Sequence, residues 1–319
     1  MKIIHTILLA SICVTATSCC RNRCKDEIVC ETYVHRYGLA VPEEEWSEQG
    51  ETGQVLTTLK DGITIKRSYS NGELDGETTY SFPHRGVIAK VEVYENGRLV
   101  REEEFFSSGL VCKQTDYEQN GVRYYYSQGT LRSTEQTSGE HLIRGKYYDL
   151  NENVESSVEN GEGKMTLRDN YGQLISVCTV SEGAIIEKTT FHPNGMPSAI
   201  EPYANGVVHG IRKTFLPGGE PLTVEQWQHG APNGITTIYE QGDKVAEVPY
   251  INGQKNGLEC RFVNEVTIVE EINWQDDMRH GPSRRYVEGK TFTDWYLNDT
   301  KVSKSYYDQR VGPVRAHLN

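Results

Sequence analysis

The hydrophobic positions of the chain follow two patterns. Near the N-terminus they form one apolar run, Ile3–Val14, and from about residue 54 to residue 307 they recur as aromatic residues between glycine-centred turns. The second pattern has two such turns in about every 23 residues. Asn-Gly is the strongest short signal for a hairpin turn because both residues tolerate positive φ. Two turns per repeat predict two short strands per repeat, and therefore an all-β fold.

The repeat is defined by two series of turn residues, half a period apart. The first series consists of Gly72, Gly97, Gly121, Gly139, Gly161, Gly183, Gly206, Gly230, Gly253, Asp277 and Asp299. The second series consists of Gly62, Gly86, Gly109, Gly129, Gly172, Gly195, Gly219, Gly242 and Gly289. The residues that carry the turns of the best copies are Asn71, Gly72, Gly76, Asn96, Gly97, Asn205, Gly206, Gly210, Gly230, Gly234, Asn252, Gly253, Gly257 and Gly281.

The best copies place an aromatic residue two positions before Asn-Gly, a second glycine four positions after it, and another aromatic residue further on. Tyr203 to Gly210 reads Y-A-N-G-V-V-H-G and leads to Phe215. This unit resembles the bacterial variant of the MORN repeat found in YwqK-like proteins, over about residues 54 to 307. The resemblance implies an elongated antiparallel meander, a β-hairpin repeat solenoid of about eleven 23-residue repeats, that acts as a scaffold or interaction module.

The copies between about residues 122 and 190 depart from this repeat. They lack the second glycine and some aromatic residues, while Tyr124, Tyr125 and Tyr126 form the densest aromatic cluster of the chain. If the chain has a specific binding site, we expect it first in this window. Elsewhere we expect the aromatic residues to form structural ladders, with a carbohydrate or peptide platform as the alternative.

The first 18 residues have the features of a secretory signal peptide. Lys2 precedes the apolar run, and small residues end at Ser18 directly before Cys19. The run is too short for a membrane-spanning helix, which needs about 20 residues. Ser18 and Cys19 resemble the cleavage site of bacterial lipoproteins, which implies that Cys19 carries acyl chains, palmitate among them. Cleavage by an ordinary signal peptidase, giving a secreted protein, is the alternative.

These features predict four segments. Residues 1–18 are the signal peptide, residues 19–53 are the lipid anchor site and an acidic spacer, residues 54–307 are the repeat domain, and residues 308–319 are a polar tail. We expect a bacterial cell-envelope location with a lipid anchor in the membrane. In lipoproteins of this resemblance, an Asp directly after the anchor cysteine implies retention in the inner membrane; Cys20 stands there instead, so the resemblance implies the outer membrane.

The charge composition of the chain limits the classes of partner that we expect. The chain has 319 residues with 33 Lys+Arg against 45 Asp+Glu, a formal net charge of -12. Nucleic-acid binding needs clustered cations, so we expect no nucleic-acid partner. The expected partners are the membrane, through the anchor, and a protein that the sequence does not identify.

The sequence predicts no enzyme. P-loop, nucleophile-elbow and zinc-helix motifs are absent from it, and His209, His229 and His280 each directly precede a repeat glycine. We therefore expect no catalytic residues, no metal and no cofactor. A glycan-active enzyme is the alternative, and it would need two carboxylates that face one groove. The pairing of Cys20, Cys24, Cys30, Cys112, Cys178 and Cys260 is left open.

Overall fold

The computed structural model describes residues 27–312. They form two compact units, residues 27–174 with 180–184, and residues 175–179 with 185–312. The predicted signal peptide, Ser18, Cys19, Cys20 and Cys24 lie outside the described residues. Neither helix in the described range is long and apolar enough to cross a membrane.

The first unit is an antiparallel meander. Its elements are β1 (Ile28–His35), β2 (Ala40–Val41), α1 (Glu43–Glu48), β3 (Gly53–Leu59), β4 (Thr64–Ser70), β5 (Glu73–Leu74), β6 (Gly76–Ser81), β7 (Ile88–Glu95), β8 (Arg98–Phe105), β9 (Val111–Asp116), β10 (Gly121–Tyr125), β11 (Leu131–Ser138), β12 (His141–Tyr148), β13 (Val154–Glu159) and β14 (Glu162–Arg168). Successive long strands pair from β1 through β14, with the short β2 and β5 at hairpin ends.

The second unit repeats this plan. Strand β15 (Leu174–Ser181) is divided between the units, and β16 (Ala184–Phe191) lies in the second unit from Ile185 onward. The further elements are β17 (Pro197–Ala204), β18 (Val207–Val208), β19 (Gly210–Phe215), β20 (Pro221–Gln228), β21 (Ala231–Glu240), β22 (Asp243–Ile251), β23 (Gln254–Lys255), β24 (Gly257–Val263), β25 (Thr267–Gln275), β26 (Met278–Arg279), β27 (Gly281–Val287), β28 (Lys290–Leu297), β29 (Thr300–Val302) and α2 (Lys304–Val311). Successive long strands are again antiparallel. The predicted all-β meander of hairpins is confirmed.

The sheet begins earlier than the predicted repeat domain, and a helix crosses the predicted boundary at the other end. Strand β1 pairs with β3 along its length, so sheet structure begins at Ile28, inside the segment predicted as a spacer. Val29, Thr32 and Val34 are β-branched residues that suit a strand, and we missed them because no glycine repeat marks this segment. At the other end, α2 crosses the predicted boundary at residue 307.

The turn residues have the backbone conformation that their sequence requires. Asn71 and Gly72 have φ of 51° and 82°, Asn252 and Gly253 have φ of 49° and 86°, and every repeat-turn residue named above for the best copies has a positive φ. The second glycine directly follows a break in the strand at Gly76, Gly210, Gly257 and Gly281, whereas Gly234 lies inside the continuous strand β21. In the repeat of Gly257, the break residue Asn256 donates its N–H to Pro249 O, and Gly257 has φ of 119°. A Cβ there would lie 3.0 Å from Pro249 Cγ, so glycine is favoured by conformation and by space.

Neighbouring repeats are tied together at their turns. Gly253 N donates to Pro232 O at 2.8 Å, one repeat back, and Asp277 N donates to Lys255 O at 3.0 Å. Asp277 also accepts a hydrogen bond from Lys255 N at its own Oδ1, at 2.7 Å, and Asp299 does the same for Arg279 N at 2.8 Å. These side-chain bonds explain why Asp can replace Gly at the last two turns.

The core lies on one face of the strands. On β3, the alternating residues Val55, Thr57 and Leu59 are buried, and on β22 Ala246 and Val248 are buried in the same way. This period of two is the expected pattern of a strand with one covered face.

Candidate functional site

The buried face of the strands carries glutamates that are held by aromatic and cationic neighbours. Glu259 is only 2% exposed, and it accepts hydrogen bonds from Trp274 Nε1 and Arg261 Nε, both at 2.8 Å. Glu92 is 7% exposed and accepts from the hydroxyls of Tyr80 and Tyr94 at 2.8 and 3.0 Å. A buried carboxylate is tolerated when such partners replace its hydration.

The pKa of Glu225 shows how burial and hydrogen bonding compete at one of these glutamates. Burial acts to raise the pKa of its carboxyl, but hydrogen bonds from Thr223, Trp227 and Arg212 outweigh burial and lower that pKa. The Trp227 Nε1 and Arg212 Nη1 atoms lie 2.6 and 3.0 Å from Glu225 Oε2. The sequence signal is a Glu two residues before an aromatic residue, as in Glu92, Glu201 and Glu225, and our sequence reasoning missed it.

A groove of about 640 Å³ lies in the first unit, on strands β8–β13. We call it the β8–β13 groove. Its lining residues are Arg101, Gln114, Asp116, Gln119, Gly121, Val122, Arg123, Thr134, Glu135, Gln136, Arg144, Gly145, Lys146, Tyr148 and Glu159. Ten of the fifteen lining residues lie in the window, about residues 122 to 190, in which the sequence departs from the repeat, and the other five precede it.

The strand register arranges the groove in two rows. In one row, Gln114, Arg123, Thr134 and Lys146 are opposite one another on β9, β10, β11 and β12. In the adjacent row, Asp116, Gly121, Gln136, Arg144 and Glu159 are opposite one another on β9 to β13. Since adjacent strands are about 4.8 Å apart, each row spans several strands and presents its polar groups side by side.

The groove has four cationic side chains in a chain of strongly acidic composition. Arg123 Nη1 contacts the neutral Gln114 Oε1 at 3.2 Å. Arg101 and Arg144 have long contacts, of 3.6 Å to Glu103 and 4.0 Å to Glu159. Among residues 27–312, no ion pair or hydrogen bond is formed by the exposed ammonium group of Lys146.

Two of the groove carboxylates are directed toward the protein. Asp116 Oδ1 accepts hydrogen bonds from Glu118 N and Gln119 N at 3.0 and 2.9 Å, which fixes the β9–β10 turn. Burial raises the pKa of Glu135 and favours its neutral form, against the opposing effects of Tyr147 and Arg132. The third groove carboxylate, Glu159, is exposed and lies 4.0 Å from Arg144, so within residues 27–312 Arg123 and Lys146 are the groove cations that have no carboxylate contact.

Gly121 has a different position from the one its sequence indicated. The Asn-Gly pattern placed it in a turn, but it is the first residue of β10, and it lacks the positive φ of the other first-series glycines. A Cβ at Gly121 would come no closer than 3.9 Å to another atom, Glu135 O. The missing side chain leaves open space between Asp116 and Gln136 in the groove.

The tyrosine cluster is mainly structural. Tyr126 is completely buried, and its hydroxyl donates to Tyr148 O at 2.6 Å. The Tyr124 ring lies 5.4 Å from the Arg132 guanidinium carbon. The cluster therefore supports the strands that form the groove, while the groove itself is lined by its neighbour Arg123.

The histidines and thiols do not form a second site in the described range. The His209 and His229 rings are 5.4 Å apart at neighbouring turns, and His280 Nδ1 lies 2.9 Å from Asn298 Oδ1. Between residues 27 and 312, no three His, Cys, Asp or Glu side chains are grouped to hold a metal. The four cysteines of this range form no disulfide with one another, and two of them, Cys112 and Cys178, are buried.

Comparisons with known proteins add little. No family model matches the sequence, and no characterised protein matches it. A chain in the crystal structure of TcdB2-TccC3-Cdc42 aligns with 76% of this chain at 12% identity and a TM-score of 0.20, and the match spans 20% of that chain. A porin-like protein from Bacteroides uniformis aligns with 75% of this chain and 88% of its own length, at 10% identity and a TM-score of 0.12. Likenesses this low carry no argument about the fold or function of this chain.

Proposed function

We propose that this chain is an exported, lipid-anchored envelope protein whose MORN-type hairpin repeats act as a non-enzymatic interaction scaffold. The observation that carries the proposal is that glutamates on the covered face are hydrogen-bonded to other side chains of the repeats. Glu92, Glu225 and Glu259 are held in networks of aromatic and cationic side chains on the covered face, so the repeat chemistry serves stability.

The opposite face is available for a partner. The residues that directly follow the second glycine, Ile211, Ile235 and Leu258, are exposed aliphatic side chains, and the groove side chains Arg123 and Lys146 are exposed cations. Stacked repeats build the extended surfaces with which repeat proteins bind other molecules.

The anchor is tested by metabolic labelling with a palmitate analogue and by detergent phase partitioning of the full chain. The matched variants are Cys19→Ala, at the predicted lipidation position, and Cys13→Ala, within the predicted signal peptide. We expect label and detergent partitioning in the wild type and in Cys13→Ala, and loss of both in Cys19→Ala. An unlabelled wild type that stays in the aqueous phase contradicts the anchor and leaves a secreted binding module.

The scaffold role is tested by proximity labelling in the producing cell, with the tag on the C-terminus. We expect a reproducible envelope partner whose labelling is lost when Ile211, Ile235 and Leu258 are replaced together by Ser. Turnover of a glycan substrate by the purified chain, abolished by a carboxylate substitution, would contradict the non-enzymatic assignment.

A further inference from the structure

The β8–β13 groove combines cationic side chains with neutral polar ones. Its cations Arg123 and Lys146 lie in the same row, two strands apart, with Thr134 between them. The backbone distance across two strands is about 10 Å. Two cations at this separation suit a ligand with repeated negative groups more than a single small anion.

The ligand must be bound by side chains, because the backbone of these strands is already used. Strand β10 pairs with both β9 and β11, and β12 pairs with both β11 and β13. An extended peptide binds a sheet mainly by adding a strand at an open edge. The middle of the groove offers no such edge, so this mode of peptide binding is excluded there.

The neutral lining groups suit hydroxyls. Thr134 provides a hydroxyl and Gln136 provides an amide oxygen, whereas the Gln114 amide already contacts Glu103 and Arg123 and the Gln136 amide nitrogen donates to Gln119 O. A sugar hydroxyl also donates and accepts, and a guanidinium binds a carboxylate with two parallel hydrogen bonds. The open space beside Gly121 lets a bulky ring approach the backbone.

We propose that the β8–β13 groove binds an acidic oligosaccharide, a sugar chain that carries carboxylate groups. Arg123 and Lys146 bind the carboxylates, the Thr134 hydroxyl and the Gln136 amide oxygen bind sugar hydroxyls, and one sugar ring lies over Gly121. The volume of about 640 Å³ is within the range of about 300–1,000 Å³ for small-ligand sites. This inference goes beyond the scaffold role and does not depend on the lipid anchor.

The test is calorimetric titration of the full chain with trigalacturonate, and with the neutral maltotriose as the matched ligand. We expect saturable binding of trigalacturonate that weakens as salt is raised, and at least tenfold weaker binding of maltotriose. The double variant Arg123→Gln with Lys146→Gln is expected to lose at least tenfold in affinity for trigalacturonate. The charge-matched control, Lys60→Gln with Lys164→Gln, changes two exposed lysines outside the groove and is expected to bind like the wild type.

A second variant tests the contribution of the open space beside Gly121 independently of the groove charges. Gly121→Leu keeps every groove charge and fills the open space, so it is expected to reduce trigalacturonate binding at least tenfold while the thermal unfolding midpoint stays near that of the wild type. The proposal is overturned if the wild type does not bind trigalacturonate saturably, or if the lysine control loses as much affinity as the groove variant. Equal or tighter binding of inorganic phosphate or of a poly-glutamate peptide at the groove also overturns it, in favour of that ligand.

Discussion

Glu259 occupies a place that an aliphatic side chain takes in most sheets. On neighbouring strands, Val248 and Ile272 are as buried as Glu259. Its carboxylate is stabilised by Trp274 and Arg261, and by Lys255 Nζ at 3.4 Å. The negative charge of Glu259 thus holds the side chains of Trp274, Arg261 and Lys255 in place.

We predict that Glu259→Gln lowers the free energy of unfolding by about 1–3 kcal/mol, since charge-assisted hydrogen bonds are lost and the cations keep no carboxylate partner at this position. Chemical denaturation followed by tryptophan fluorescence measures the change. The control is Glu240→Gln, at an exposed residue of β21, which is expected to change stability by less than about 0.5 kcal/mol. Equal stability of the two variants would show that the Glu259 network contributes nothing.

A second residue-scale prediction concerns the strand break at the second repeat glycine. Gly257→Ala is expected to destabilise the chain by about 1–3 kcal/mol, because alanine disfavours a φ of 119° and its Cβ would press on Pro249. Gly86→Ala is the control, since Gly86 has no positive φ and a Cβ there has nothing within 4 Å. The thermal unfolding midpoints of both variants are compared. A midpoint of Gly257→Ala equal to that of the wild type would contradict the strain argument.

At the scale of elements, strands β20 and β8 shift the pKa of a glutamate in opposite directions. On β20, hydrogen bonds keep the pKa of Glu225 low, whereas on β8 burial is the main cause of a raised pKa at Glu102. A lowered folded-state pKa contributes stability above the unfolded pKa of about 4.3, and this contribution is lost as pH falls through the folded pKa. A raised folded-state pKa has the opposite sign, and its cost is relieved as pH falls.

The two sites therefore predict opposite pH profiles. Glu225→Gln is expected to lower the free energy of unfolding at pH 8, and the loss shrinks only as the pH falls below about 4.3 and through the folded-state pKa of Glu225. Glu102→Gln is expected to raise it at pH 8, because a buried charge is removed, and this gain also shrinks toward pH 4. Urea unfolding at several pH values measures both, and profiles of the same sign for the two variants would contradict the assignment.

The elements also show what a sequence of this kind reveals. The Asn-Gly spacing predicted the hairpins, because a left-handed turn leaves a local signature that no tertiary contact needs to supply. Strand β1 has no such signature, so the sequence predicts a spacer there. The β8–β13 groove could be located only as a departure from the repeat, since the opposition of Arg123, Thr134 and Lys146 depends on strand register.

At the scale of the whole molecule, a helix covers an end of each unit. Trp46 of α1 is 4% exposed and lies against Tyr33 and Tyr69 in the first unit. Tyr307 of α2 is also 4% exposed and lies against Trp295 and His280 in the second unit. Repeat proteins need such caps because a terminal repeat has a neighbour on one side only.

We predict that Tyr307→Ala destabilises the second unit by about 3 kcal/mol through the cavity it leaves. Hydrogen exchange followed by mass spectrometry is expected to show faster exchange in β28 and β29 and unchanged exchange in β3 and β4. The adjacent Tyr306→Ala is the control, because Tyr306 is 43% exposed. Equal effects of the two substitutions would mean that α2 does not cap the sheet.

The hydrogen bonds between neighbouring turns, which we call ties, bear on how the number of repeats in such a chain can change. In the regular copies a tie joins a turn to the residue two positions after the previous turn, as in Gly253 to Pro232 and Asp277 to Lys255, whereas Gly161 and Gly183 bond to Ile143 O and Gly161 O. These bonds join adjacent repeats. Among the regular copies, a duplicated or deleted hairpin of about 23 residues would find the same bonding groups on both sides, so this part of the array can grow or shrink by whole hairpins while its junctions stay chemically the same.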